Sequence, residues 1–477
     1  MARSIGQLGA GLAMALLAQA AGAQSTAPAD PTEASFRSLY RELVETNTTR
    51  SVGSCTQAAE AMRKRLVAAG IPEADTKIWA PADRPNDGAL VATLRGRDPA
   101  LKPLLLLAHI DVVEAKREDW KRDPFKLVEE NGFFYGRGTS DDKAMASVFT
   151  DSLVRYKTEG YVPRRSLKLA LTCGEETPEV FNSVHWLTKE HPEVLDAAFA
   201  LNEGAGGELD KNGKPVALQV QAGEKVYQDF ALSISDDGGH SSRPKKYNPI
   251  GQMGAALARV AAYNFPIAVN PAVRGYFEAQ SKLVDPKVAA DMHAVLQAKP
   301  DQAAALRLWD VNPSWNGMLR TTCVPTMITG GHAPNALPQH VTANINCRIL
   351  PGVPVADVQK TLDGVLAEKA IHMEPVGEIG QSTTPPPLTP AILGPVRSLA
   401  DTLWPGVTIV PTMTTGATDG RYLNAAGVPT YGISGMFSDA EGSHAHGLDE
   451  RIRVQSLLEG RRFLYELVKR YADAPGG

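Results

Sequence analysis

Histidine and carboxylate residues recur in this chain directly after short apolar runs. Residues 104–107 are continuously apolar, and Ala108-His109-Ile110-Asp111 follows them. Residues 167–171 read as a second buried strand, followed by Thr172-Cys173-Gly174-Glu175-Glu176, and residues 197–201 as a third, followed by Asn202-Glu203-Gly204. Between the first two lies Gly136-Arg137-Gly138-Thr139-Ser140-Asp141-Asp142-Lys143, a loop leading into a helical pattern. So many acids on one edge repel one another unless a cation is present. Histidine with carboxylates is a ligand set suited to zinc and related divalent ions. Several carboxylates suggest two ions sharing a bridging group. His109 and Asp111 stand two apart on an extended chain and point the same way, which places Asp111 to accept the second ring proton of His109. Glu175 and Glu176 are adjacent and diverge, so one can bind metal while the other takes a proton from a metal-bound water. An H-x-D or an E-E pair alone is a weak signal; the register of four such sites with strand ends is the stronger one.

Elements must bring these positions together. Continuous apolar runs mark strands buried on both faces, and helical spacing at residues 36–45, 56–69 and 143–158 alternates with them. Strand–helix–strand alternation predicts a mixed, mainly parallel sheet flanked by helices. Ligands in such sheets bind beyond the carboxyl ends of the strands, where the acids lie. The middle of the chain reads differently. Strands are predicted at 227–233, 320–328, 340–349 and 371–376, with helices at 249–263 and 355–366. That order is a ferredoxin-like α+β layout, inserted into the larger α/β unit, with 264–318 as an extra helical stretch within it. Pro385-Pro386-Pro387 marks the return crossing. The expected divisions are a catalytic unit at 35–224 and 381–477 and an inserted lid at 225–380.

Composition agrees with a soluble globular chain. The 477 residues are 43% hydrophobic, and 49 basic residues face 53 acidic ones. Disorder is excluded by that balance. No basic excess exists to neutralise phosphates, so nucleic acid is not an expected partner. Residues 1–23 carry Arg3, an apolar run and Ala21-Gly22-Ala23, the pattern of a cleaved export signal, and 24–34 read as a flexible leader. No later apolar run is long enough to span a membrane. The expected location is periplasmic or secreted. In such a compartment Cys323 and Cys347, on the two strands of one predicted hairpin, can be bridged, whereas Cys55 and Cys173 are expected to be free.

The residues quoted above resemble those of the aminoacylase, carboxypeptidase and succinyl-diaminopimelate desuccinylase family of co-catalytic zinc metallohydrolases. The resemblance covers nearly the whole chain after the leader. It implies His109 as ligand of one metal with Asp111 as its orienting partner, Asp141 as the bridging ligand, Glu175 as general base, Glu176 as ligand of the other metal and Glu203 as third ligand beside His109 and Asp141. His446-Gly447-Leu448-Asp449-Glu450 resembles the family's H-x-x-x-E segment, implying His446 as a ligand with Asp141 and Glu176; His444 is the competing choice. Gly238-Gly239-His240-Ser241-Ser242 implies His240 as an oxyanion contact, often across a dimer interface. Asn335 and Arg348 resemble residues that hold a substrate carboxylate, and Gly416 lies in a segment resembling a late substrate loop. Glutamate at 203, where many dipeptidase-like members have aspartate, tilts towards the acylase-like and deacetylase-like members.

The function expected is metal-dependent hydrolysis of an amide bond next to a free carboxylate, in a dipeptide, a C-terminal peptide bond or an N-acyl amino acid, through a water bridging two divalent ions. Zinc is the expected metal, with cobalt or manganese as alternatives, and the inserted domain suggests a homodimer. Two other readings compete: a co-catalytic zinc aminopeptidase, and a non-catalytic binding module that keeps the fold.

Overall fold

Residues 30–475 are described by the computed structural model. The expected export signal at 1–23, and residues 24–29 of the leader, lie outside the described residues. The four central strands of the large sheet are Leu167–Thr172, Leu104–His109, Phe199–Asn202 and Thr430–Gly432, side by side and parallel. Antiparallel strands extend it at both sides: Ala89–Leu94 and Thr76–Trp79 beside the first, Pro215–Glu224 and Gly207–Leu209 beyond the last. The result is the mixed, mainly parallel α/β sheet that the pattern predicts.

The apolar runs are strands because both faces are covered. Leu104, Leu106 and Ala108 join one core while Leu105 and Leu107 join another, and all five are fully buried. Helices Glu33–Glu45, Cys55–Ala68, Lys143–Thr158 and Val454–Asp473 supply the first core, and Ser183–Glu190 with Gly420–Ala425 the second. Burial at roughly 25 cal/mol per Å² of apolar surface makes this the main driving force for folding.

A second sheet has four antiparallel strands in the order Thr322–Gly330, His340–Ile349, Val226–Ser235, His372–Val376. Taken along the chain this is strand–helix–strand–strand–helix–strand, the ferredoxin-like layout, with helices Pro249–Ala262 and Val355–Leu366 on one face. Alternate residues of His340–Ile349 are buried, as expected for a sheet with one covered face.

The structure corrects the placement of residues 264–318. They are helical, as Pro271–Gln280, Pro286–Val295, Gln302–Val311 and Pro313–Leu319. Apart from Phe265, they do not join the core of the four-stranded sheet. Val273, Phe277, Met292, Leu308 and Met318 pack into the core of the large sheet instead. Periodicity shows that a helix has an apolar face and not which neighbour will cover it. The strand Pro215–Glu224 was also missed, and it pairs with Thr408–Thr414 in parallel.

The expectation of free Cys55 and Cys173 is overturned: they form a disulfide. Cys55 begins a helix and Cys173 follows the strand Leu167–Thr172, and 118 residues separate them. Their meeting is a product of sheet-and-helix packing, invisible to local pattern. Cys323 and Cys347 are directly paired in the antiparallel ladder and are bridged. No described cysteine is free.

Candidate metal centre

The sheet delivers its ligands at the carboxyl ends of the parallel strands. His109 ends one strand, Glu175 and Glu176 follow a second after Cys173-Gly174, and Glu203 follows a third. Gly174 sits at φ +92°, and a Cβ there would lie 2.1 Å from the Phe181 carbonyl oxygen. Only glycine permits the turn that presents the two glutamates. Asp141 comes from the loop before helix Lys143–Thr158, and His446 from the loop before Arg451–Arg453.

These side chains converge. His109 Nε2 lies 3.0 Å from Asp141 Oδ1 and 3.8 Å from Glu203 Oε1. His446 Nε2 lies 3.2 Å from Asp141 Oδ2 and 2.9 Å from Glu176 Oε2. The two oxygens of Asp141 thus face two separate groups, His109 with Glu203 and His446 with Glu176. Atoms bound about 2.0–2.2 Å from one zinc ion sit roughly 3–4 Å from each other, the range of these histidine-to-carboxylate separations, and ligand atoms of His109, Asp141 and Glu176 also lie within 4.8 Å of one another. Glu175 also lies within reach of His109 and Glu203. His446 has its side chain 58% exposed while His109 is buried, so the centre opens on the His446 side. His446 makes these contacts, and His444 makes none with the cluster.

Electrostatics give the same answer. Removal from water, reinforced by Glu203, Asp419 and Glu176 and opposed by His109, pushes the Glu175 carboxyl up to about 10. Burial likewise raises Glu203 and Asp142. Burial would raise Asp141 too, but hydrogen bonds with His109 and His446 hold it well below the usual carboxylate range. Hydrogen bonds to Asp141 and Glu176 in turn lift His446 to about 10. Without cations the cluster must borrow protons to balance its charge, which is the signature of a donor set built for divalent ions.

Supporting contacts differ in part from expectation. His109 Nδ1 lies 3.1 Å from the Asp111 backbone carbonyl and 3.7 Å from its carboxylate. The Asp111 carboxylate instead accepts the backbone N–H groups of Glu175 and Glu176, at 3.3 and 3.0 Å. It therefore orients the glutamate turn as well as the histidine. Two further acids, to which the sequence pattern assigns no role, support the cluster. Glu450, fully buried, accepts Arg137 Nη1 at 2.8 Å and the N–H groups of Gly138, Ser140 and Asp141 at 2.9–3.0 Å. It locks the Asp141 loop to the segment carrying His446. Asp419, buried, accepts Thr172 Oγ1 at 2.9 Å and Asn182 Nδ2 at 2.6 Å. Its charge adds to that around Glu175. The only sequence signal for Asp419 is its place three residues after Gly416, in the segment resembling a late substrate loop.

The expected substrate residues stand apart from this cluster. His240 is exposed, on a two-residue strand paired with Ala336–Leu337, and its Nδ1 accepts the Ser242 N–H at 3.1 Å. Asn335 is exposed, its carbonyl accepting the Ser241 N–H. Arg348 is half-buried with its guanidinium 4.6 Å from the centre of the Tyr227 ring. Gly416 is half-buried, its N–H on Thr414 Oγ1. None of the four hydrogen-bonds or ion-pairs with the candidate ligands.

The profile of peptidase family M20/M25/M40 matches residues 105–470. The chain belongs to this family of metallohydrolases, and is a metal-dependent hydrolase of amide bonds. The N-fatty-acyl-amino acid synthase/hydrolase PM20D1 of Mus musculus is 29% identical over 397 residues, covering 79% of this chain and 76% of that one. Carboxypeptidase S of Saccharomyces cerevisiae is 27% identical over 431 residues, covering 81% and 74%. An M20 family metallo-carboxypeptidase from Sulfolobus solfataricus has a similar fold, with TM-score 0.66 over 92% of this chain and 99% of that one at 17% identity.

Proposed function

We propose that this chain is a dinuclear hydrolase of N-acyl amino acids, with zinc as its metal and cobalt or manganese as substitutes. The observation that carries the reading is Asp141, whose two carboxylate oxygens face His109 and His446 respectively. One ion would be held by His109, Asp141 and Glu203, and the other by Asp141, Glu176 and His446. When bound, the ions polarise the scissile carbonyl and lower the pKa of the attacking water. Glu175 takes the proton of that water and passes it to the leaving amine. Arg348 grips the substrate carboxylate as a planar fork, with Asn335 beside it, and Gly416 lines the substrate loop. His240 steadies the charge that develops on the carbonyl oxygen.

His240 and Asn335 are exposed and off the cluster, so the four-stranded sheet must close over the centre or a second copy must deliver them. A homodimer is supported by the edge strand Thr322–Gly330, where Val324, Met327 and Ile328 are exposed, because apolar edge strands seek a partner. Export is supported by the two disulfides, which persist in oxidising compartments. No described helix is long and apolar enough to cross a membrane. The choice of N-acyl amino acids over dipeptides is supported by the likeness to PM20D1 and by Glu203. The test is release of amino acid from N-acyl amino acids, dipeptides and amidated dipeptides, with and without chelator. Cleavage of N-acyl amino acids that chelator abolishes is expected; preference for a free amino terminus would establish the aminopeptidase reading instead.

A further inference from the structure

The chain first leaves the large sheet for the four-stranded one at Glu224-Lys225, and two arginines flank that crossing. Arg348, on the four-stranded sheet, lies directly opposite Tyr227 in the antiparallel ladder. Arg421 comes from the large-sheet part. There Thr414 pairs with Glu224, the Glu224 carboxylate accepts the Thr418 N–H, and a Cβ on Gly420 would lie 3.1 Å from Glu224 Oε1. Arg421 follows Gly420 in the helix Gly420–Ala425. The two arginines are thus anchored three residues apart on one crossing strand, at Tyr227 and at Glu224.

Among the described residues neither guanidinium forms an ion pair. Arg348, half-buried, rests 4.6 Å from the centre of the Tyr227 ring and donates no hydrogen bond to a described residue. Arg421, also half-buried, donates from Nη2 to the Tyr422 hydroxyl at 2.8 Å, and its buried Nε finds no acceptor. The nearby acids are engaged elsewhere. Glu378 pairs with Lys189 at 2.8 Å and His185 at 3.3 Å. Asp229 accepts Tyr227, Asn344 and Asn346 at 2.6–3.0 Å. Burial lowers the Arg348 guanidinium from its usual range; Tyr227 and Asp229 oppose this, and the charge of Arg421 adds to it. Two half-buried like charges side by side call for an anion between them, and two planar forks suit a carboxylate.

We propose that Arg421 is the second arm of a clamp: the substrate carboxylate gripped by Arg348 is also bound by Arg421, so that one anion ties the two sheets together. This rests on the reading of the chain as an N-acyl amino acid hydrolase. Asp419, two residues before Arg421, lies beside Glu175, so an anion drawn to Arg421 is drawn towards the centre. Arg348 would carry the rest of its sheet in the same direction, and with it the exposed His240 and Asn335.

The experiment compares metal-loaded wild type, Arg348→Gln, Arg421→Gln and the double variant on an N-acyl amino acid and on its carboxamide. Each single variant should lose about 10- to 100-fold in kcat/KM on the acid, chiefly through KM. The double variant should lose little more than either single one, because both break the same clamp. The preference for the acid over its carboxamide should shrink by the same factor in all three variants. A structural role for Arg421 would instead lower both substrates together. Should Arg421→Gln fold poorly, Arg421→Lys keeps the charge without the fork and should show a smaller loss of the same acid-over-amide preference. Wild-type kcat/KM in Arg421→Gln, equal losses on acid and amide, or single losses that multiply in the double variant would overturn the clamp and leave the hydrolase reading intact. Should the wild type cleave dipeptides and no N-acyl amino acid, the N-acyl reading falls, and the same four enzymes compared on a dipeptide and its amide decide the clamp.

Discussion

At the scale of single residues, each acid around the centre has a separable task. Glu175 is the proposed proton carrier and Glu176 a ligand, although they are neighbours in sequence. Glu175→Gln should keep its metal content by elemental analysis and lose about 10²–10⁴-fold in kcat; full turnover with metal bound would contradict its role. Glu450 touches no substrate in this scheme, yet it binds Arg137 and three backbone N–H groups in a fully buried site. Glu450→Ala strands a buried guanidinium, at a cost of about 3–5 kcal/mol. It should lower the thermal midpoint and weaken metal binding together, because the freed loop carries Asp141.

At the scale of elements, the chain crosses between the two sheets four times, because the helices of 264–318 return to the large sheet, and Lys225 fastens them. Its ammonium, buried, donates to the carbonyls of Gly317 and Arg320 at 2.8 Å and to Thr322 Oγ1 at 3.2 Å. Lys225→Met leaves those oxygens dry and should cost about 2–4 kcal/mol in denaturant unfolding; an unchanged midpoint would show that water replaces the lysine. The disulfides differ in reach. Cys55–Cys173 closes 118 residues and Cys323–Cys347 closes 24. Chain entropy assigns the longer loop about 4.9 kcal/mol and the shorter about 3.4. The Cys55→Ser/Cys173→Ser pair should therefore lose more stability than Cys323→Ser/Cys347→Ser. It should also lose more activity, since Cys173 is two residues from Glu175.

At the scale of the whole molecule, metal binding and folding are linked. Ions that bind only the folded chain stabilise it by about 2.7 kcal/mol at 100 times their dissociation constant, so chelation should lower the melting temperature by several degrees and re-addition of zinc should restore it. His446, lifted to about 10 by Asp141 and Glu176, must give up its proton to accept an ion. Binding therefore releases protons, and apparent zinc affinity should rise with pH across the neutral range. Calorimetry in buffers of different ionisation heat measures that release; none detected would mean the ligands are already deprotonated.

Much of the centre was legible in the chain because it is local. His109, Glu175, Glu176 and Glu203 each follow an apolar run that becomes a strand buried on both faces, and strand ends are where a parallel sheet places its chemistry. The two strand-and-helix patterns, period 2 and period 3.6, likewise located the strands of the four-stranded sheet and the central strands of the large one, though not Pro215–Glu224. What the pattern could not carry was which surfaces meet. The apolar faces at 264–318 are visible in sequence, but their docking on the large sheet depends on a neighbour far along the chain. Cys55 with Cys173, Glu450 beneath the Asp141 loop, Asp419 beside Glu175 and Arg421 near Arg348 all join residues that are distant in sequence. Side-chain chemistry is set by residue type and strand position; partnership at long range is set by the packing that buries the most apolar surface with every polar group paired, and only the folded chain decides that.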